Sequence, residues 1–162
     1  MTRKFLTSVF FCFVMDSVSG QGNQSVFLEI GANGLGLSAN YDARFNKKVN
    51  GAGYRLGIGF YPGVNDGIFR TSPILLIPAG INYVTGKGRH HFEGGLGLTY
   101  FSGSFSILDS DKSSGNGVAF VPSAGYRLTA KGKGIQFRTV ISPFISGGDF
   151  FVWGGLSIGY NW

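Results

Sequence analysis

Seven charged residues fall inside alternating stretches of this 162-residue sequence, where extended chain would turn them inward: Glu29, Asp42, Arg44, Arg55, Glu93, Arg127 and Arg138. Four guanidinium groups among three carboxylates can do two kinds of work. They can pair into a hydrogen-bonded ion network that fills an enclosed space, or they can line a narrow path that favours anions. Buried charge is costly unless it is paired, so a structural network is the expected reading and an ion path the alternative. Glycines on the same parity, among them Gly53, Gly57, Gly95 and Gly125, would make room for the long arginine side chains.

Other chemistry is sparse. His90 and His91 are adjacent, so in a strand they point to opposite faces. Both fall at the expected periplasmic rim, so a Ser–His hydrolase working on the outer leaflet at the other end would lack its base, and two neighbouring histidines alone make a weak metal site. Glu93, two residues beyond His91, is more ordinary as a partner for an inward arginine than as a base. The segment "GANGLG" lacks the spacing of a nucleotide loop and straddles a turn between strands. The expected catalytic, cofactor and metal residues are therefore none, and no enzymatic activity is expected.

The elements that must position the seven charges are strands. Turn-like clusters cut the chain into segments of about nine to thirteen residues, the length of a tilted strand that crosses a bilayer. They fall at 24–32, 35–45, 51–61, 73–84, 91–101, 117–128, 135–146 and 149–162. One parity of each is apolar, as in Val26, Leu28, Ile30 and Ala32, or Phe150, Val152, Gly154, Leu156, Ile158, Tyr160 and Trp162. The other parity holds every strand charge. Four turns test the parity. Asn33-Gly34 would set Ala32 opposite Leu35, both on the apolar face, and Gly147-Gly148 would set Ser146 opposite Asp149. Lys87-Gly88 would set Tyr83 opposite Phe92, and Lys131-Gly132 would set Leu128 opposite Ile135.

Aromatic residues decide which face is outside. With strands alternating in direction, Tyr41, Phe45, Tyr54, Tyr83, Phe92, Tyr126, Phe137, Tyr160 and Trp162 gather near one rim. Phe60, Tyr100, Phe120 and Phe150 gather near the other. Two aromatic girdles around an aliphatic band is the pattern of a lipid-facing barrel surface, and hydrocarbon requires the sheet to close. The expectation is all-β: a closed antiparallel eight-stranded transmembrane up-and-down barrel, with both ends of the chain at the periplasmic rim. The longer connections, 62–72 and 102–116, then lie outside the cell and offer the surface for an external partner.

Charge is sorted as well. The chain carries a formal net charge of +6, and Lys47, Lys48, Lys87, Arg89, Lys131 and Lys133 all fall in the periplasmic turns. Either they contact anionic phospholipid head groups or they only keep the turns soluble. Six of the twelve basic residues beyond position 20 being committed to this rim argues against nucleic acid as a partner. Charged residues make up only 14% of the chain, where a soluble domain has about 25%.

Residues 1–20 read differently. Arg3 and Lys4 precede the apolar run "FLTSVFFCFVM" and the small-residue stretch "DSVSG", the layout of a cleavable signal peptide, leaving 21–162 as the barrel. Cys12, the single cysteine, leaves with it.

The signal sequence, the eight alternating strands and the ending "LSIGYNW" together resemble the small outer-membrane β-barrel proteins of the OmpA-transmembrane and OmpX type. The resemblance implies a Gram-negative outer-membrane protein of structural or surface-interaction type. Its partners would be outer-membrane lipids and, during biogenesis, the barrel-assembly machinery. That machinery would read Tyr160 and Trp162 as the C-terminal signal, although the class more often ends in Phe. Three other readings stay open: a narrow small-solute or ion channel, an outer-membrane lipid-modifying enzyme, and a soluble lipocalin-like secreted barrel.

Overall fold

A computed structural model describes residues 23–46, 48–63, 69–71, 73–102, 105–107, 116–147 and 149–162. The expected signal peptide lies outside the described residues. The elements are β1 (Gln24–Gly31), a 3-10 turn (Ala32–Gly34), β2 (Leu37–Arg44), β3 (Gly51–Tyr61), β4 (Phe69–Thr71), β5 (Ile74–Lys87), β6 (His90–Ser102), β7 (Phe105–Ile107), β8 (Gly117–Thr129), β9 (Gly134–Ser146) and β10 (Asp149–Asn161).

Eight of these strands close into an antiparallel barrel in the order β1-β10-β9-β8-β6-β5-β3-β2. Neighbours in the chain are neighbours in the wall, and β10 returns to β1 with Val26 opposite Tyr160 and Ile30 opposite Leu156. The closure runs past the strand ends. The Trp162 N–H donates to the Gln24 carbonyl at 3.0 Å, and the Gln24 N–H donates back at 3.3 Å. Gln24 and Trp162 therefore lie at one rim, the terminal rim; the opposite one is the distal rim. The remaining pair, β4 and β7, forms a two-stranded antiparallel sheet with Phe69 opposite Ile107. It joins the two long connections, 62–72 and 102–116, whose other residues lie mostly outside the described ones.

The alternation in the sequence becomes the two faces of the wall. Ile30, Leu156 and Phe92 are 70%, 68% and 67% exposed on the outside, while Glu29, Asp42 and Gln136 are each 1% exposed inside. The expected strands agree with the observed ones to within a few residues, and Ser146 pairs with Asp149 as the Gly147 turn requires.

Three turns differ from expectation. Tyr83 faces Gly94, not Phe92, because β5 runs on to Lys87, which pairs with His90 across Gly88 and Arg89. Leu128 faces Phe137, not Ile135, because the β8–β9 connection opens at Ala130 and recloses at Gly134. Both shifts are by two residues, so no side chain changes face.

The third difference matters more. The register through Asn33-Gly34 holds, with Ile30 opposite Leu37, yet the turn bends into the barrel. Ala32 is fully buried and Leu35 packs against interior residues, so neither belongs to the outer face. Ala32 and Leu35 both take positive φ, 48° and 53°, a backbone that lets the chain curl inward rather than continue the pleat.

Prolines mark the breaks in the ladder. Between the pairs Phe120–Ile145 and Ala124–Ile141 the register sets Pro122 opposite Pro143. Neither carries an N–H to donate.

Candidate functional site

The interior has two storeys. Near the terminal rim it is ionic; near the distal rim it is apolar. The parity of the strand charges points only to the first.

All seven charges point inward and are buried. They arrive there because β1, β2, β3, β6, β8 and β9 each place them on the inner parity. Glu93 on β6 is the hub. Arg127 reaches one carboxylate oxygen twice, from Nη2 at 2.5 Å and Nε at 3.0 Å, and Arg138 binds the other. Arg127 also spans to Asp42, touching Oδ1 and Oδ2 at 3.3 Å each. Asp42 is held in turn by Arg44 Nη2 at 2.5 Å and by Asn82 Nδ2 at 2.6 Å. The Asn82 carbonyl oxygen accepts a second bond from Arg44 at 2.6 Å, so the amide bridges acid and base. Arg55 pairs with Glu29 at 3.3 Å, a smaller unit beside the hub.

Two of the arginines use an aromatic face as well. Arg138 lies 4.2 Å and Arg55 5.8 Å from the centre of the Phe27 ring. That contact attracts each cation to the ring quadrupole and relieves the excess of one positive charge. Space for the long side chains comes from missing ones. A Cβ on Gly53 would stand 2.5 Å from Arg44 Cζ. With eight strands the lumen is only wide enough for its own side chains.

Toward the distal rim Ile74, Leu76, Ala119, Val121 and Phe144 are buried, and Leu35, Phe101 and Phe151 pack against them. Phe144 and Phe151 stack with centroids 5.1 Å apart, and Trp153 meets Phe151 edge-on. The inward-bent Ala32–Gly34 turn sits in this storey. Thr99 Oγ1 donates to the Asn33 carbonyl at 3.0 Å, and Ser142 Oγ donates to Asn33 Oδ1 at 2.7 Å. The space left between Asn33 and the Arg55, Asn82 and Glu93 side chains is about 10 Å³, room for one water.

This distal storey was legible in part. Apolar residues on both parities in "ILLIP", "SPFIS" and "FFVW" signal strand ends without a polar face. The plunge of the turn has no such signal.

The histidines stand apart. His90 is exposed on the outside and shares a hydrogen bond with the Tyr126 hydroxyl. His91 is buried, and its Nδ1 pairs with Asn50 Oδ1 at 3.0 Å rather than with Glu93. Among the described residues no three His, Cys, Asp or Glu side chains converge as metal ligands would. Tyr160 and Trp162 lie at the terminal rim with stacked rings, 6.4 Å between centroids.

No protein-family model and no curated protein matches the chain. Among solved structures, the N-terminal β-barrel domain of OprF from Pseudomonas aeruginosa matches at a TM-score of 0.63 and 13% identity. The match covers 89% of this chain and all of that one. In fold, then, this chain is an eight-stranded closed antiparallel barrel like the N-terminal β-barrel domain of OprF.

Proposed function

We propose that the protein is an integral outer-membrane barrel of a Gram-negative cell, exported by a signal peptide, with a structural or surface-interaction role and no catalytic one. One observation carries this reading: the polarity of the wall is inside out. Glu29, Asp42 and Arg138 are buried in the lumen while Leu28, Ile30, Leu156 and Ile158 stand exposed on the outer wall. A soluble barrel of the lipocalin kind has the opposite distribution, whereas an outward apolar band is the mark of a membrane barrel. The OprF-like fold supports the same location.

The ion network in the terminal storey supports a closed scaffold over a channel, and the space bounded by Asn33, Arg55, Asn82 and Glu93 is only about 10 Å³. The β4–β7 sheet is the surface it would offer to an external partner. Outer-membrane fractionation with heat-modifiable gel mobility tests the location; a protein that stays soluble without detergent overturns it. Planar-bilayer recording tests closure; stable single-channel conductance overturns that part.

A further inference from the structure

We propose that the outer wall of β6 and β8 holds one anionic phospholipid, with its phosphate at the basic turns of the terminal rim and an acyl chain in a dent above them. The inference rests on the membrane reading and names a ligand for one part of its surface.

The dent comes from missing side chains. Gly94 and Ala124 are paired across β6 and β8, flanked by Tyr83 on β5 and Ile141 on β9. A Cβ on Gly94 would meet nothing within 4 Å. Tyr83 and Ile141, 60% and 59% exposed, stand as its side walls. Its lower edge is the edge-to-face pair Phe92 and Tyr126, 5.8 Å apart. Gly94 lies four residues above His90, roughly 13 Å along the strand. Allowing for tilt, that is below the head-group layer and inside the hydrocarbon.

The rim beneath supplies the complementary charge. The turn joining β5 and β6 and the one joining β8 and β9 are side by side, since His90 faces Leu128. They are locked together: the Thr129 N–H donates to the Arg89 carbonyl at 2.9 Å, and Arg89 Nε donates to the Thr129 carbonyl at 3.3 Å. Lys87, Arg89, Lys131 and Lys133 are all exposed there, and neither turn contains an acid. His90, bound to Tyr126 on the lipid side, adds a nitrogen at the same level. Cations at a membrane surface draw anionic head groups. Here they stand directly below a slot that a chain can enter, which turn solubility alone does not require.

A second depression on the outer wall, about 670 Å³ around Ala39, Leu28 and Ile58, provides the control. β2 is diametrically opposite β8 in the strand order.

The test is native mass spectrometry of the full barrel released from bilayers of phosphatidylcholine and phosphatidylglycerol in equal amounts. The expected result is one retained phosphatidylglycerol, favoured over phosphatidylcholine by roughly tenfold. Gly94→Phe should empty the slot. Lys87→Gln with Lys131→Gln should erase the head-group preference while a lipid is still retained. Ala39→Phe should change neither. Equal retention of both lipids by the unaltered protein, no response to either β6–β8 variant, or the same loss with Ala39→Phe overturns the proposal. Heat-modifiable mobility is read on each sample. A barrel that inserts and folds without lipid preference overturns this inference alone; one that never enters the bilayer overturns the membrane reading with it.

Discussion

Arg127 on β8 and Glu93 on β6 are joined inside the barrel by two hydrogen bonds to one carboxylate oxygen, at 2.5 and 3.0 Å. The pair crosses the wall's neighbours and ties both to Asp42 on β2. Such a pair is worth little over apolar packing, but removing one partner strips buried carboxylates of a cation that they share. Arg127→Met should therefore destabilise the barrel by about 3–5 kcal/mol. Arg127→Met with Glu93→Leu should cost more than the single change, because Arg138 still holds Glu93 in the single variant and loses its carboxylate in the double one. Urea titration of barrels refolded in detergent measures both. Equal losses in the single and double variants would show that Arg138 does not depend on Glu93.

Asn33 and Ser142 fix the turn inside the lumen at 2.7 Å. Both groups are buried, so removing one partner costs the desolvation of the other, about 1–3 kcal/mol. Ser142→Ala and Asn33→Ala should each destabilise by that order. Their double variant should cost less than the sum, since the shared bond is lost only once. A larger consequence is expected in bilayers. If the turn is the distal plug, Asn33→Ala should show transient conductance where the parent protein is silent. An additive pair of effects would place the turn outside the lumen.

These residues also show where sequence reading stops. Strand parity was legible because a period-2 pattern fixes the face of every residue once one is placed. The inward direction of Glu29, Asp42 and Arg138 followed from it. Which arginine meets which acid was not legible: Arg127 lies 85 residues from Asp42, and their contact depends on closure across the lumen. The hairpin at Asn33-Gly34 was legible as a turn, but its direction was set by Thr99 and Ser142 on distant strands. The Tyr83–Phe92 and Leu128–Ile135 pairings failed for a narrower reason. A two-residue slip keeps every face, so hydrophobic pattern could not detect it.

Leu28 tests the orientation of the wall. It is 55% exposed, midway along β1, with Ile158 and Ala39 on either side. In a membrane barrel, Leu28→Arg should cost about 2–4 kcal/mol when folding is measured into vesicles. The same substitution measured in urea against detergent micelles should cost less, because a micelle deforms around the charge. On a soluble barrel an exposed leucine changed to arginine would be close to neutral, within about 0.5 kcal/mol. A cost near zero in vesicles would sink the membrane orientation.

Trp162 separates assembly from stability. Its backbone closes the barrel against Gln24 in both directions, and its ring stacks on Tyr160. The backbone contribution survives any side-chain change. Trp162→Ala should then lower refolded stability only modestly, by about 1 kcal/mol for one aromatic contact. If the terminal aromatic is a signal for the assembly machinery, the same variant should fall severalfold in outer-membrane abundance while Trp162→Phe stays near the parent level. Quantitative blotting of membrane fractions, set beside refolding in detergent, measures the two separately. Parallel losses in both assays would make Trp162 a packing residue. A loss of abundance alone, rescued by Phe, assigns it to assembly.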